Sequence, residues 1–278
     1  MYNKTVKINK NIVISNDNPI VIIAGPCVLE SEKCSLRLAT KLKQITDKLN
    51  INFIFKASYD KANRSSYQYY RGPGLEKGLK LLSKIKKELN LSIITDVHAY
   101  DQVNKVAEIV DILQIPAYLS RQTDLITACS LTGKPINIKK GQFLAPDDMF
   151  HVIHKSEING NCNLLLTERG TCFGYHNLIV DFRGIEIMKQ TGYPVVFDAT
   201  HSVQYPGNCK NENYSGGDRN FVLPLSKAAV AMRIAALVLE VHEEPDRALS
   251  DGAASINIQN FTYILKIVKM IDELIKNN

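Results

Sequence analysis

The chain has 278 residues, 45% hydrophobic and 22% charged, enough apolar material for a sizeable core and the wrong balance for a disordered or collagen-like chain. A net charge of +6 suits an enzyme that holds polyanions; a nucleic-acid module would interleave aromatics with a basic patch, and the sequence has no such patch. No apolar stretch reaches the roughly 18 residues of a membrane span, the N-terminus lacks the apolar core of a secretory signal, and the six cysteines form no Cys-x-x-Cys pair, so the expectation is a cytoplasmic protein with free thiols, bound to neither membrane nor nucleic acid.

In chain order, the first 15 residues carry two alternating runs, VKIN and NIVI, around Lys10-Asn11, which predict a β-hairpin. Short β-branched runs follow at residues 20–24, 52–56, 92–96, 110–115, 135–139, 163–168, 194–198 and 236–241. They are nearly continuous in apolar character, as strands buried on both faces are. Between them apolar residues recur every three or four positions, as in Leu36, Ala39, Leu42 and Ile45, or Leu75, Leu79, Leu82 and Ile85. Eight strand–helix units without a linker or repeat predict an α/β fold, a (β/α)8 TIM barrel forming a single domain over residues 1–278. The hairpin is expected to close the barrel bottom.

Nearly every run stops on a polar residue: Cys27 just past the first, then Lys56, Asp96, Gln114, Lys139, Glu168-Arg169, Asp198 and Glu240. In a barrel these carboxyl ends meet at one rim, where catalytic groups of this fold collect. Lys56, Lys61, Arg64, Arg71, Arg121, Lys139, Lys140 and Arg169 lie on or just after strand ends. So many cations repel one another unless anions bind among them, and Arg with Lys suits phosphate and carboxylate. Gly72 and Gly74 imply a tight turn, but their spacing is that of neither a Walker loop nor a dinucleotide fingerprint. Cys27 follows Gly25-Pro26, His201 lies three residues past Asp198, Glu240 ends the last strand and Asp251 follows in SDGAAS. A thiolate, an imidazole and two carboxylates suit Fe2+, Zn2+, Co2+ or Mn2+. Four dispersed residues are not a metal signature by spacing, and a lone cysteine is more often a small buried hydrophobe. His98, His176 and His242 have no evident partners, and His151 and His154 fall on a helix face expected to be exposed.

The segments AGPCVLES (24–31), FKASYDKANRSS (55–66), YRGPGLEKGLK (70–80), ITDVH (94–98), LQIPAYLSRQTDL (113–125), NIKKGQF (137–143), ERGTCFGYHNLIVD (168–181) and FDATHSVQ (197–204) closely resemble the 3-deoxy-D-manno-octulosonate 8-phosphate synthase family, in order from about residue 19 to about residue 275. The resemblance implies a transferase barrel, usually tetrameric, that condenses phosphoenolpyruvate with D-arabinose 5-phosphate and water and releases phosphate. Its product feeds the inner core of lipopolysaccharide. By the same resemblance, Lys139 and Arg169, with the backbone near Ala117, hold the phosphoenolpyruvate phosphate. Lys56, Ser58, Lys61 and Gln114 surround its carboxylate and enol. Asn63, Arg64 and Ser65 bind the pentose phosphate, which Arg121 reaches from a neighbouring subunit, and Asp96, Ser202 and Gln204 line the sugar. Cys27, His201, Glu240 and Asp251 match the ligands of the metal-dependent branch, whereas the metal-independent branch carries Asn where Cys27 stands. The implied cofactor is therefore a divalent ion, Mn2+, Fe2+, Co2+ or Zn2+, and His201, Asp251, Lys61 and Asp96 are the implied catalytic groups. Residues 208–218 have a composition of their own, so the resemblance assigns no role there. The competing reading is 3-deoxy-D-arabino-heptulosonate 7-phosphate synthase, which takes a four-carbon sugar phosphate and whose loop typically reads Lys-Pro-Arg-Thr-Ser. Here Lys61-Ala-Asn63-Arg64-Ser65-Ser66 inserts an amide able to serve an extra hydroxyl-bearing carbon.

Overall fold

Eight short strands pair edge to edge in chain order and close on themselves: β1 (Val21–Gly25), β2 (Phe53–Lys56), β3 (Ser92–Asp96), β4 (Ile112–Ile115), β5 (Ile136–Lys139), β6 (Leu164–Glu168), β7 (Val195–Asp198) and β8 (Ala236–Glu240). The computed structural model describes residues 3–64, 66–205 and 216–277. All neighbouring barrel strands are parallel, and β8 returns to β1 with Glu240 opposite Gly25, so the sheet has no free edge. Each strand is followed by one principal helix: α1 (Glu32–Lys48), α2 (Leu75–Leu89), α3 (Val103–Ile109), α4 (Thr123–Leu131), α5 (Met149–Glu157), α6 (Arg183–Lys189), α7 (Val222–Ala231) and α8 (Ile258–Lys276). This is the predicted (β/α)8 barrel. Every strand lies inside its expected run or one residue past it.

Local chemistry sets the element ends. Ser31 accepts a hydrogen bond from the Cys34 amide at the start of α1, and Asn257 does the same for the Asn260 amide at the start of α8. The three- and four-residue spacing buries Leu38, Ala39 and Leu42 on α1 and Leu79, Leu82 and Ile85 on α2. Gly25, the last residue of β1, must be glycine because a Cβ there would lie 2.0 Å from the Lys56 carbonyl oxygen of β2.

The period of two along each strand separates two cores. Outward residues, among them Ile22, Phe55, Ile93, Leu113, Ile138, Leu166, Phe197 and Leu239, pack beneath the helices. Inward residues Val21, Ile23, Ile54, Ile94, Ile112, Leu165, Val196 and Val238 form a second cluster with Val6, Ile12 and Ile14. Those last three belong to the N-terminal hairpin, whose strands Val6–Lys7 and Val13–Ile14 pair antiparallel with Val6 opposite Ile14. Val6 and Ile14 are fully buried, each contributing about 1.5–3 kcal/mol of burial, and the hairpin closes the amino-terminal end of the barrel as expected. One more step of two along the strands puts Lys56, Asp96, Gln114, Asp198 and Glu240 in the layer above, facing the lumen at its carboxyl end. No helix among the described residues is long and apolar enough to cross a membrane.

Candidate active site at the carboxyl rim

The open end of the barrel holds a cavity of about 290 Å3 lined by Lys56, Lys61, Asn63, Asp96, His98, Ala117, Lys139, Gln142, Arg169 and His201, among others. One side of it is cationic. Arg169 is 4% exposed, donates from Nη2 to Gln204 Oε1 at 2.9 Å, and has no partner at Nε or Nη1. Burial pulls its pKa down from the usual value against the opposing charge of Asp198. A buried guanidinium with free donors is costly until an anion docks on it. Lys139 stands beside it in the lining and pairs with Asp198 at 2.5 Å.

Lys56 ends β2 with Nζ 3.1 Å from Glu240 Oε1, 3.2 Å from Ser58 Oγ and 3.7 Å from Asp96 Oδ2. Burial works to lower its pKa, but Asp96 and Glu240 outweigh it and the pKa is raised. At Lys61 burial is likewise outweighed by Cys27, Glu240, Asp251 and Asp96. Asp96 experiences the reverse: burial would raise its pKa, and Lys56 and Lys61 hold it well below the carboxylate range. Both lysines are therefore cations and Asp96 an anion at neutral pH.

Donors for a metal collect in a buried cluster next to the cavity, of which His201 alone is in the lining. Ligand atoms of Cys27, Glu240 and Asp251, all buried, lie within 4.8 Å of one another. His201 Nε2 approaches Glu240 Oε1 at 3.5 Å and Asp251 Oδ2 at 3.6 Å. Its other nitrogen, Nδ1, lies 2.8 Å from Asp198 Oδ2, and its backbone amide donates to Asp198 Oδ1 at 2.9 Å. A carboxylate only accepts, so Nδ1 carries a proton, and Nε2 is the nitrogen turned toward the cluster. Burial, then the charges of Asp251 and Glu240, push the Cys27 thiol well up, which a divalent cation would reverse. Glu240 Oε2 is buried without a partner. An orphaned carboxylate oxygen, a thiol, a second carboxylate and an oriented imidazole fit a borderline divalent ion. Asp251 is held in the left-handed region at φ 49°, where Asp is among the more tolerant residues, and Ser250 Oγ lies 2.8 Å from Cys27 Sγ.

Lys56, Lys61, Asn63, Asp96, Ala117, Lys139, Arg169 and His201 all line the cavity. Other predicted residues sit elsewhere. Ser58 and Gln114 are buried and outside the lining, Ser58 hydrogen-bonded to Asp96 Oδ2 and Gln114 donating to Asp96 Oδ1 at 2.6 Å. Ser202 donates to the Ala199 carbonyl at 3.1 Å. Arg64 donates to the carbonyls of Tyr70 at 3.2 Å and Leu249 at 3.1 Å. Arg121 is exposed and outside the lining. Ser65 and residues 208–215 lie outside the described residues. Three rim candidates are outside the lining: Glu168 accepts from the amides of Arg169 and Gly170, Lys140 pairs with that same Glu168 at 3.5 Å, and exposed Arg71 pairs at 2.5 Å with Asp60, which does line the cavity. Sequence reasoning missed two lining groups: His98 lines the cavity with Nδ1 buried and unpartnered and its ring edge-on to Tyr59, and Gln142 has an unpartnered buried Oε1. Asp198 was placed on the rim by its strand end but given no role there; it holds His201 and Lys139 together.

A family model described as the DAHP synthetase I family matches residues 3–277. Among curated relatives, the chain is 51% identical to the 2-dehydro-3-deoxyphosphooctonate aldolase of Geotalea daltonii over 266 residues, covering 96% of this chain and 97% of that protein. It is 52% identical to the protein of the same name from Geobacter metallireducens over 266 residues, with 96% and 97% covered. The corresponding figures for Dichelobacter nodosus are 52% over 265 residues, with 95% of each covered.

Proposed function

The chain belongs to the DAHP synthetase I family, and we propose that within it this protein condenses phosphoenolpyruvate with D-arabinose 5-phosphate and water, giving 3-deoxy-D-manno-octulosonate 8-phosphate and phosphate. The relatives are named for that eight-carbon product. The observation that carries the reading is a cavity where buried Arg169 has free donors, adjoined through its lining residue His201 by a buried cation-seeking cluster around Glu240.

Carbon 3 of phosphoenolpyruvate is a weak nucleophile and must meet the pentose aldehyde carbon in a fixed orientation; positioning of this kind provides effective molarities of roughly 10^5–10^8 M. Lys139 and Arg169, with the Ala117 backbone, anchor the phosphoenolpyruvate phosphate, and Lys56 and Lys61 its carboxylate. Ser58 and Gln114 support this group through Lys56 and Asp96. Asn63, Arg64 and Ser65 hold the pentose phosphate, joined by Arg121 of a neighbouring subunit in a homotetramer, while Asp96, Ser202 and Gln204 line the sugar. The new carbon–carbon bond forms, the water oxygen bonds to carbon 2, and phosphate departs with cleavage of the carbon 2–oxygen bond. Lys61 and Asp96 flank the reacting carbons, and His201 and Asp251 orient the water.

Cys27, His201, Glu240 and Asp251 are the residues that would hold a divalent ion, Mn2+, Fe2+, Co2+ or Zn2+. Such an ion, when bound, would supply Lewis-acidic charge to polarise a carbonyl or a water. We place the whole chain, residues 1–278, in one cytoplasmic catalytic domain serving lipopolysaccharide core synthesis.

The test is phosphate release from phosphoenolpyruvate with arabinose 5-phosphate and erythrose 4-phosphate side by side. Asn63 stands in the lining with a donor and an acceptor for the extra hydroxyl, so the five-carbon sugar should be favoured by about tenfold or more in kcat/KM. Equal rates with both sugars would sink the assignment.

A further inference from the structure

Four neighbouring barrel strands carry a line of buried polar side chains leading to Asp96. Thr167 Oγ1 on β6 donates to Asn137 Oδ1 on β5 at 2.6 Å. Asn137 Nδ2 donates to Gln114 Oε1 on β4 at 2.8 Å, and Gln114 Nε2 donates to Asp96 Oδ1 on β3 at 2.6 Å. Strand register places Asp96 opposite Gln114 and Gln114 opposite Asn137. Thr167, Asn137 and Gln114 are 0–1% exposed and none lines the cavity.

The direction of this line follows from its end. An ionised carboxylate only accepts, so Gln114 must turn its NH2 to Asp96 and its oxygen to Asn137. Asn137 must then turn its own NH2 to Gln114 and its oxygen to Thr167, which must donate. No member can reverse without setting donor against donor or acceptor against acceptor. Packing does not call for these residues, since Ile112, Leu165, Val196 and Val238 fill inward positions with apolar groups, and buried polar side chains cost free energy unless every bond is made.

We propose that Asn137 and Thr167 are positioning residues for the condensation: a one-way donor line that fixes the Gln114 amide and, through it, the Asp96 carboxylate at the floor of the cavity. This rests on the cavity being the site where phosphoenolpyruvate meets the pentose phosphate. Asp96 faces the reacting molecules, and the three residues behind it keep its oxygens from turning.

The test uses steady-state kinetics of the full-length, metal-loaded enzyme and its Asn137→Leu, Thr167→Val, Thr167→Ser and Gln114→Met variants. Asn137→Leu should lower kcat by about ten- to a hundredfold, the range for one hydrogen bond lost with its partner left buried. The KM for phosphoenolpyruvate should stay near wild type, since its proposed anchors Lys139 and Arg169 are untouched. In the Gln114→Met background Asn137→Leu should add almost nothing, because its effect runs through Gln114. Thr167→Val should lose rate and Thr167→Ser, which keeps the hydroxyl, should recover it. A wild-type kcat in Asn137→Leu, or multiplication of the two single losses in the double variant, overturns the proposal. Should Asn137→Leu fail to fold, equal rates for Thr167→Val and Thr167→Ser overturn it instead. Absence of turnover in the wild type overturns the assigned reaction, and this inference with it; turnover in the wild type with an indifferent Asn137 overturns the inference alone.

Discussion

Replacing Asp198 with Asn tests whether this carboxylate ties the two sides of the site together. Asp198 is fully buried; its Oδ2 takes the Lys139 ammonium at 2.5 Å and His201 Nδ1 at 2.8 Å, and its Oδ1 takes the His201 amide at 2.9 Å. Asparagine has the same shape but one acceptor oxygen, so its NH2 must face a donor in either orientation, and Lys139 loses its counter-ion. Removing one partner of a buried ion pair costs about 3–5 kcal/mol. At roughly 2–4 °C per kcal/mol for a large domain, the metal-free variant should melt about 10 °C lower. Loss of the carboxylate that orients a metal-ligating histidine typically weakens metal binding by about 10- to 100-fold, measurable by chelator competition. His201 and Lys139 hold the folded pKa of Asp198 well below its ordinary value against burial. Its stabilising contribution is thus complete above the unfolded pKa of about 4 and is lost as pH falls toward the folded value. The Tm difference should stay constant from about pH 6 to 8 and narrow below about pH 4. An Asp198→Asn protein that melts and binds metal like the wild type would refute the reasoning.

Stripping the metal should abolish turnover, with activity returning on addition of Mn2+, Fe2+, Co2+ or Zn2+. Cys27→Ala should lose metal and activity together, whereas Cys27→Asn should keep partial activity that resists chelator; full wild-type activity in strong chelator, with no metal by elemental analysis, would leave Cys27 as a small core residue. Arg121→Ala should raise the KM for the pentose phosphate more than that for phosphoenolpyruvate, and a fully active monomer in gel filtration would contradict a role across a subunit contact.

The barrel was legible because eight apolar runs alternate with eight amphipathic ones, and each run is short enough to exclude helix. What those runs conceal is parity. Strands apolar on both faces show no alternation, so Glu168 looked like a rim residue beside Lys56 and Asp96 although it lies an odd number of steps from inward-facing Leu165. The same concealment hid Asn137 and Thr167, polar residues in mid-strand whose partners are 23 and 30 residues away. Cys27, His201, Glu240 and Asp251 were named from strand ends and resemblance, yet spacing could not show that Cys27, Glu240 and Asp251 converge within 4.8 Å. His98 and Gln142 gave no signal, because an unsatisfied buried atom is a property of the folded chain alone.

The N-terminal hairpin gives the molecule a single door. With Val6, Ile12 and Ile14 seated against the inward faces of the strands, nothing passes through the barrel, and every reactant and product shares the carboxyl-end opening. Arg169 and Lys139 lie buried in that vessel, while Asn63 stands exposed at its lip. Whatever rests on the deep cations is walled in by whatever occupies the lip. A molecule held at the lip should therefore slow the exchange of an anion held by the deep cations.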